Sequence, residues 1–230
     1  MFTQEWYGFD TERRAFFRRN FGPEVALLIL DTDHVTPLDG AQTDWLAAEL
    51  GSMANVDLRI ATYHVPLYPS HRAYDSVQSR SLREAWLPLF DAGGLDLAFE
   101  NHDHMLKRTK RLRDNRPNRS GTLYLGDGCF GQLPRTGDQA LALEDPAHVN
   151  ALGLTENYLA AWSPAQHFWL VEAEPETASD PSALRLSAIT ADSTIADETT
   201  FEIEARNRDS RSSYCVNSML LGPVAPTQVA

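Results

Sequence analysis

The sequence predicts an α/β sandwich whose functional site lies at the carboxyl ends of its strands. Three observations predict it. Short, continuously apolar runs occur at 25–30, 58–62, 96–100 and 122–125, the pattern of strands buried on both faces. Helical periodicity fills the gaps after the first two runs. Each run ends in a polar or glycine cluster: Asp31-Thr-Asp-His34, Tyr63-His64, Asn101-His-Asp-His104 and Gly126-Asp-Gly128. Alternation of strand and helix implies parallel strands, and ligands of such sheets collect where the strands end.

The elements follow in order. Residues 1–22 are aromatic and basic and read as an irregular or short helical entry. The 25–30 strand is followed by turn residues Pro37 and Gly40. A helix is expected over 41–50, with Trp45, Leu46 and Leu50 on its apolar side. After the 58–62 strand comes a polar loop, 65–80. Ser81-Leu-Arg-Glu84 has capping-box spacing and opens a helix carrying Leu82, Trp86, Leu89 and Phe90, which Gly93-Gly94 closes. The basic stretch 107–119 reads as a solvated hairpin face. Residues 136–165 are loop-rich, and three segments at 167–172, 184–190 and 199–204 have the spacing of an antiparallel sheet. Residues 1–204 are expected to form one partial domain, with 205–230 a flexible tail.

Composition narrows the function. With 20 Lys and Arg against 32 Asp and Glu, the net charge is −12, which disfavours a nucleic-acid partner. An anionic substrate needs a local cation, such as a bound metal. No apolar run is long enough to cross a membrane as a helix. Residues 1–20 mix acidic and basic side chains and read as no signal peptide. Cys129 and Cys215 make neither a disulfide framework nor a thiolate zinc site. Trp6, Tyr7, Trp45 and Trp86 read as core or strand-cover aromatics.

His102 and His104 follow a strand at i and i+2. If the backbone stays extended there, both imidazoles share a face and form a clamp for an intermediate transition metal. His64 ends the neighbouring strand, so three histidines converge on one point. The alternative is a set of solvated turn histidines and a buried His64 bonded to backbone.

The segments 61–68 (ATYHVPLY) and 99–109 (FENHDHMLKRT) resemble the last two motifs of the calcineurin-like metallophosphoesterases, and within them the purple-acid-phosphatase-like branch. Gly40-Ala-Gln42 with Trp45-Leu46, and the 124–128 turn, fit the same order. The resemblance implies the C-terminal part of a four-layer α/β/β/α sandwich that hydrolyses phosphoric esters. It implies two divalent or trivalent ions (Fe, Zn or Mn), with His64 and His102 on one ion and His104 on the other. His71 would contact phosphate or protonate the leaving group, and Asn101 would stand at the substrate. The partner is then a phosphate ester, with no nucleic acid and no membrane, and the setting of the whole protein periplasmic or secreted.

The sequence departs from the family in two ways. Asn101 stands where the family has glycine. The upstream motifs that supply the family's carboxylate and amide ligands have no counterpart before residue 30. The chain is therefore expected to be a fragment supplying part of the site. One expected partner is then the missing N-terminal half as a separate chain. Two alternatives remain: a degenerate or split-gene module without catalysis, and a haloacid-dehalogenase-type phosphatase using Asp31 as nucleophile and Asp33 as acid/base.

Overall fold

The computed structural model describes residues 14–126, 128–174 and 183–202. Trp6, Tyr7, Asp127 and the expected tail at 205–230 lie outside the described residues.

A seven-stranded mixed sheet forms the centre. Its strands are β1 (Phe17–Phe21), β2 (Val25–Ile29), β3 (Leu58–Tyr63), β4 (Leu97–Glu100), β5 (Leu106–Thr109), β8 (Leu123–Gly126) and β9 (Leu159–Ser163). Their order is β1-β2-β3-β4-β8-β5-β9. The four predicted strands, β2, β3, β4 and β8, run parallel side by side. β1 and β5 are antiparallel to their neighbours, as is β9 to β5. Two expectations need correction. Phe17–Phe21 is a strand, paired antiparallel with β2, rather than an irregular or helical entry. The loop-rich region 136–165 contains β9 and two short helices. In both cases pairing to the sheet supplies order that local residue pattern does not reveal.

Helix α1 (Ala41–Ser52) and helix α2 (Val77–Gly93) cover one face of the sheet. α2 begins one turn earlier than the Ser81 capping box suggests, because the Ser76 side chain accepts the Ser79 N–H and caps the extra turn. It ends as expected at Gly94, in the left-handed conformation. Strand alternation divides the core. Ala26, Leu28, Ala61, Tyr63, Ala98 and Tyr124 meet Leu46, Leu82, Trp86 and Phe90 on the helix side. Leu58, Ile60, Leu97, Leu123 and Leu125 meet Leu184 and Leu186 on the other. Those last two belong to a three-stranded antiparallel sheet, β10 (His167–Glu174), β11 (Ala183–Thr190) and β12 (Ile195–Glu202). The layers are helix, sheet, sheet. Because β2, β3, β4 and β8 are covered on both sides, they read as unbroken apolar runs.

The basic stretch is only partly a solvated face. β6 (Leu112–Arg113) and β7 (Arg116–Pro117) make a hairpin around Asp114 and Asn115, both at positive φ. Lys107, however, is fully buried and paired with Glu100 at 2.7 Å. Arg108 makes two bonds to Asp197, at 2.6 and 3.0 Å.

Candidate metal and phosphate site

The parallel strands β2, β3, β4 and β8 all end at one edge, and the polar clusters gather there. The Asn101 backbone N–H donates to the His64 carbonyl, and its side-chain amide donates to the Tyr63 carbonyl at 2.8 Å. This ties the ends of β3 and β4 together, and it directs one amide donor of Asn101 to backbone.

Beyond Asn101 the chain does not stay extended. His102 has φ 71 and His104 φ 51. The Asp103 N–H donates to the Asn101 carbonyl at 2.8 Å, closing a γ-turn around His102 of the strained, positive-φ kind. The shared-face argument for His102 and His104 therefore fails in its premise. The two rings are placed by left-handed turns, not by strand alternation.

His64 and His102 are nonetheless together. Nε2 of His64 lies 2.7 Å from Nδ1 of His102, and the ring centres are 4.5 Å apart. His34 joins them, its ring edge-on to His64 at 5.1 Å. His104 is close enough that its charge contributes to the His64 pKa shift, and its ring lies against Gly128. Gly128 has φ +92, and a Cβ there would stand 3.0 Å from the His102 nitrogen. The glycine turn after β8 thus packs on the His-x-His loop, an approach that only glycine permits.

Two side chains that sequence reasoning missed organise the loop after His64. Asp103 is buried, and its carboxylate accepts the backbone N–H groups of Ser70 and His71 at 2.7 and 2.9 Å. Arg72 donates both to Asp103, at 2.8 Å, and to the His102 carbonyl, at 2.9 Å. These partners are some 30 positions apart, so no local pattern announces them. His71 is thus anchored through its backbone, and its Nδ1 lies 3.8 Å from Asp138.

Electrostatics keep the pair neutral. Burial, then the Arg72 charge, then His64 hold His102 down at about 4. Burial and His34 lower His64. For Asp103, burial pushes upward, but Lys107, the His71 and Ser70 N–H groups and Arg72 outweigh it and lower the carboxyl. The sign of the linkage follows. A histidine whose folded pKa is depressed leaves the unfolded chain holding more protons between about 4 and 6.5, so stability falls as pH drops through that window. Asp103 extends the loss below the ordinary carboxylate pKa. In metal-free buffer the urea midpoint of the chain is expected to fall from pH 7 to pH 4. His102→Gln should flatten that fall, and an equal slope in both proteins would contradict the assignment.

Neutral imidazoles suit an intermediate transition metal. Two carboxylates of the edge are otherwise engaged. Asp103 is committed as described, and Asp31 accepts the N–H groups of His34, Val35 and Thr36. Among the described residues no group of three or more His, Cys, Asp and Glu is closed into a metal-holding cluster. The residues present therefore fit the imidazole share of a metal centre, not a complete pair. The same bonds weaken the aspartyl-phosphate alternative. Asp31 is engaged by three backbone donors.

No protein-family model matches the sequence. A 91-residue stretch, 38% of this chain, is 32% identical to purple acid phosphatase 18 of Arabidopsis thaliana. A 94-residue stretch is 31% identical to purple acid phosphatase 22 of the same plant. Each match spans 21% of the relative's length. The purple acid phosphatase PPD1 of yellow lupin superposes with a TM-score of 0.62 at 18% identity, over 88% of this chain and 36% of that one. The chain thus has the fold of part of a purple acid phosphatase, and a stretch of it is similar to purple acid phosphatases in sequence. A second structural neighbour is described as GAP50, the anchor in the inner membrane complex of Plasmodium. It matches with a TM-score of 0.57 at 14% identity, over 82% of this chain and 53% of that one. Both structural likenesses concern the fold alone.

Proposed function

We propose that the chain carries the imidazole share of a dinuclear metal centre that hydrolyses phosphoric esters. His64 and His102 serve one ion, and His104 serves the other. His71 and Asn101 stand on the substrate side, with His71 protonating the leaving group. The observation that carries this is the 2.7 Å meeting of two neutral imidazole nitrogens at the ends of adjacent parallel strands. The sequence likeness to purple acid phosphatases supports the same chemistry. Such an ion pair, of Fe, Zn or Mn, activates water and holds phosphate oxygens. On this reading the bridging and terminal carboxylates belong to the family's upstream motifs, which have no counterpart before residue 30.

The test contrasts two substitutions. His102→Ala is expected to abolish most zinc binding and any metal-dependent aryl phosphatase activity. Asp31→Asn is expected to leave most of both. A phosphoenzyme trapped on Asp31 would reverse the ranking.

A second reading is a non-catalytic module that keeps the fold. The likeness to a protein described as an anchor and the open cluster favour it. It predicts no metal retained and no hydrolysis by either protein.

A further inference from the structure

We propose that Arg72, backed by Arg135, forms an oxyanion site at the imidazole edge that holds a phosphate group without a metal ion. The ligand is inorganic phosphate or the phosphoryl group of an ester. The site shares with the metal-centre reading only this class of ligand, so either can fail alone.

Placement is the first argument. Nη1 of Arg72 donates to the His102 carbonyl at 2.9 Å and to the Asp103 carboxylate at 2.8 Å. Asp103 is itself held, since it accepts the backbone N–H groups of Ser70 and His71. A guanidinium is planar and rigid, so these contacts through one terminal nitrogen orient the whole group. They engage only that nitrogen. Among the described residues Nε and Nη2 of Arg72 have no hydrogen-bond partner, and the side chain is 29% exposed. Those two nitrogens make the edge of the group that matches two oxygens of a phosphate. The backbone that anchors it is that of His102, whose ring meets His64 at 2.7 Å.

Charge is the second. The chain has a net charge of −12, so a phosphate is drawn only to a place where positive charge is local. Both arginines are fastened to the His-x-His loop. Arg135 joins it through its backbone N–H, which donates to the His104 carbonyl at 3.2 Å. Arg72 and Asp103 offset each other, whereas Arg135 has no acidic partner among the described residues. The loop therefore carries a surplus positive charge. That charge reaches the site, since Arg72 and Arg135 both help to hold the His102 pKa down.

An unmet donor is the third. Nε of Arg135 is buried and has no hydrogen-bond partner among the described residues. Buried polar groups are ordinarily satisfied, and a charged N–H left unmet costs the most. An oxyanion supplies the acceptor. The loop that carries Arg72 is set beforehand by the bonds from Ser70 and His71 to Asp103, so little ordering is lost when a ligand arrives.

The test uses residues 1–230 freed of metal with a chelator and titrated with inorganic phosphate, read by calorimetry. Saturable binding of one phosphate per chain is expected. Arg72→Gln should weaken it about tenfold, and Arg72→Lys, which keeps the charge and loses the planar fork, by less. Arg135→Gln should weaken it about threefold or more. Arg116→Gln removes an equal charge from the exposed β6–β7 hairpin and should bind as the unaltered chain does. Thermal melts check the fold of each variant, and Arg72→Lys with Arg135→Gln carries the test if Arg72→Gln does not fold. No phosphate binding by the metal-free chain overturns this proposal; binding that then appears on adding zinc leaves the metal-centre reading standing. Equal losses in Arg72→Gln and Arg116→Gln also overturn it, because they show attraction to net charge alone. Phosphate binding that depends on Arg72, in a chain that retains no zinc, upholds the oxyanion site and sinks the metal-centre reading.

Discussion

Lys107→Met is expected to destabilise the chain by about 3–5 kcal/mol, the cost of leaving a buried charge without its partner. The pair sits beneath the site, on the helix side of β4. Lys107 and Glu100 are both fully buried, with Nζ 2.7 Å from the Glu100 carboxylate. Glu100 also accepts the Tyr63 hydroxyl at 2.9 Å and the backbone N–H of Leu67 at 2.7 Å and Tyr68 at 3.3 Å. Lys107 donates in addition to the Tyr68 carbonyl. Its stem lies so close to β8 that a Cβ on Gly126 would stand 2.2 Å from the Lys107 Cγ. The bonds to residues 67 and 68 fix the turn that follows His64, so the loss reaches the site as well as the core. The double variant Glu100→Gln with Lys107→Met removes both charges. It should be less destabilised than the sum of the single variants by about 1 kcal/mol or more. Urea unfolding measures all three. A Lys107→Met cost below about 1 kcal/mol would show that the pair is not what holds this region.

Residues 1–230 on their own are expected to retain one transition metal ion per chain at most, and to hydrolyse phosphate esters poorly. The argument is ligand count and charge. A dinuclear site of this class needs roughly seven protein ligands, a bridging carboxylate among them. The described residues bring imidazoles to the edge, while Asp31 and Asp103 spend their oxygens on backbone N–H groups and Arg72. Two divalent ions about 4 Å apart repel by about 16 kcal/mol at an effective dielectric of 20, and among the described residues no carboxylate closes a metal-holding cluster that would screen them. One ion avoids that cost. Elemental analysis after dialysis, with assays on an aryl phosphate and a diester in added Zn, Mn or Fe, measures the outcome. Two tightly held ions with robust turnover would mean further ligands, and Asp33 and Asp127 would be the first to test.

Much of this protein was legible in its sequence. The four parallel strands were visible because burial on both faces makes a strand apolar without interruption, and that is a local property. The end of α2 was visible because Gly94 supplies a left-handed cap. The histidines at strand ends were visible because a parallel sheet brings all its carboxyl ends to one edge, so His64 and His102 had to be neighbours once their strands were. What the sequence could not show depends on partners distant along the chain. β1 and β9 are strands because a neighbouring edge accepts their hydrogen bonds. Lys107 is core rather than surface because Glu100 and the Tyr68 carbonyl satisfy it there, and a run of basic residues carries no sign of that. The rings of His102 and His104 are set by left-handed turns, which Asp103, Arg72 and Gly128 support from three separate segments. The sequence thus determined which edge holds the chemistry, since strand order follows from local hydrophobicity and short connections. Only the tertiary structure decided which nitrogens meet and which carboxylates are already engaged, because those depend on backbone turns and buried bonds between segments tens of residues apart.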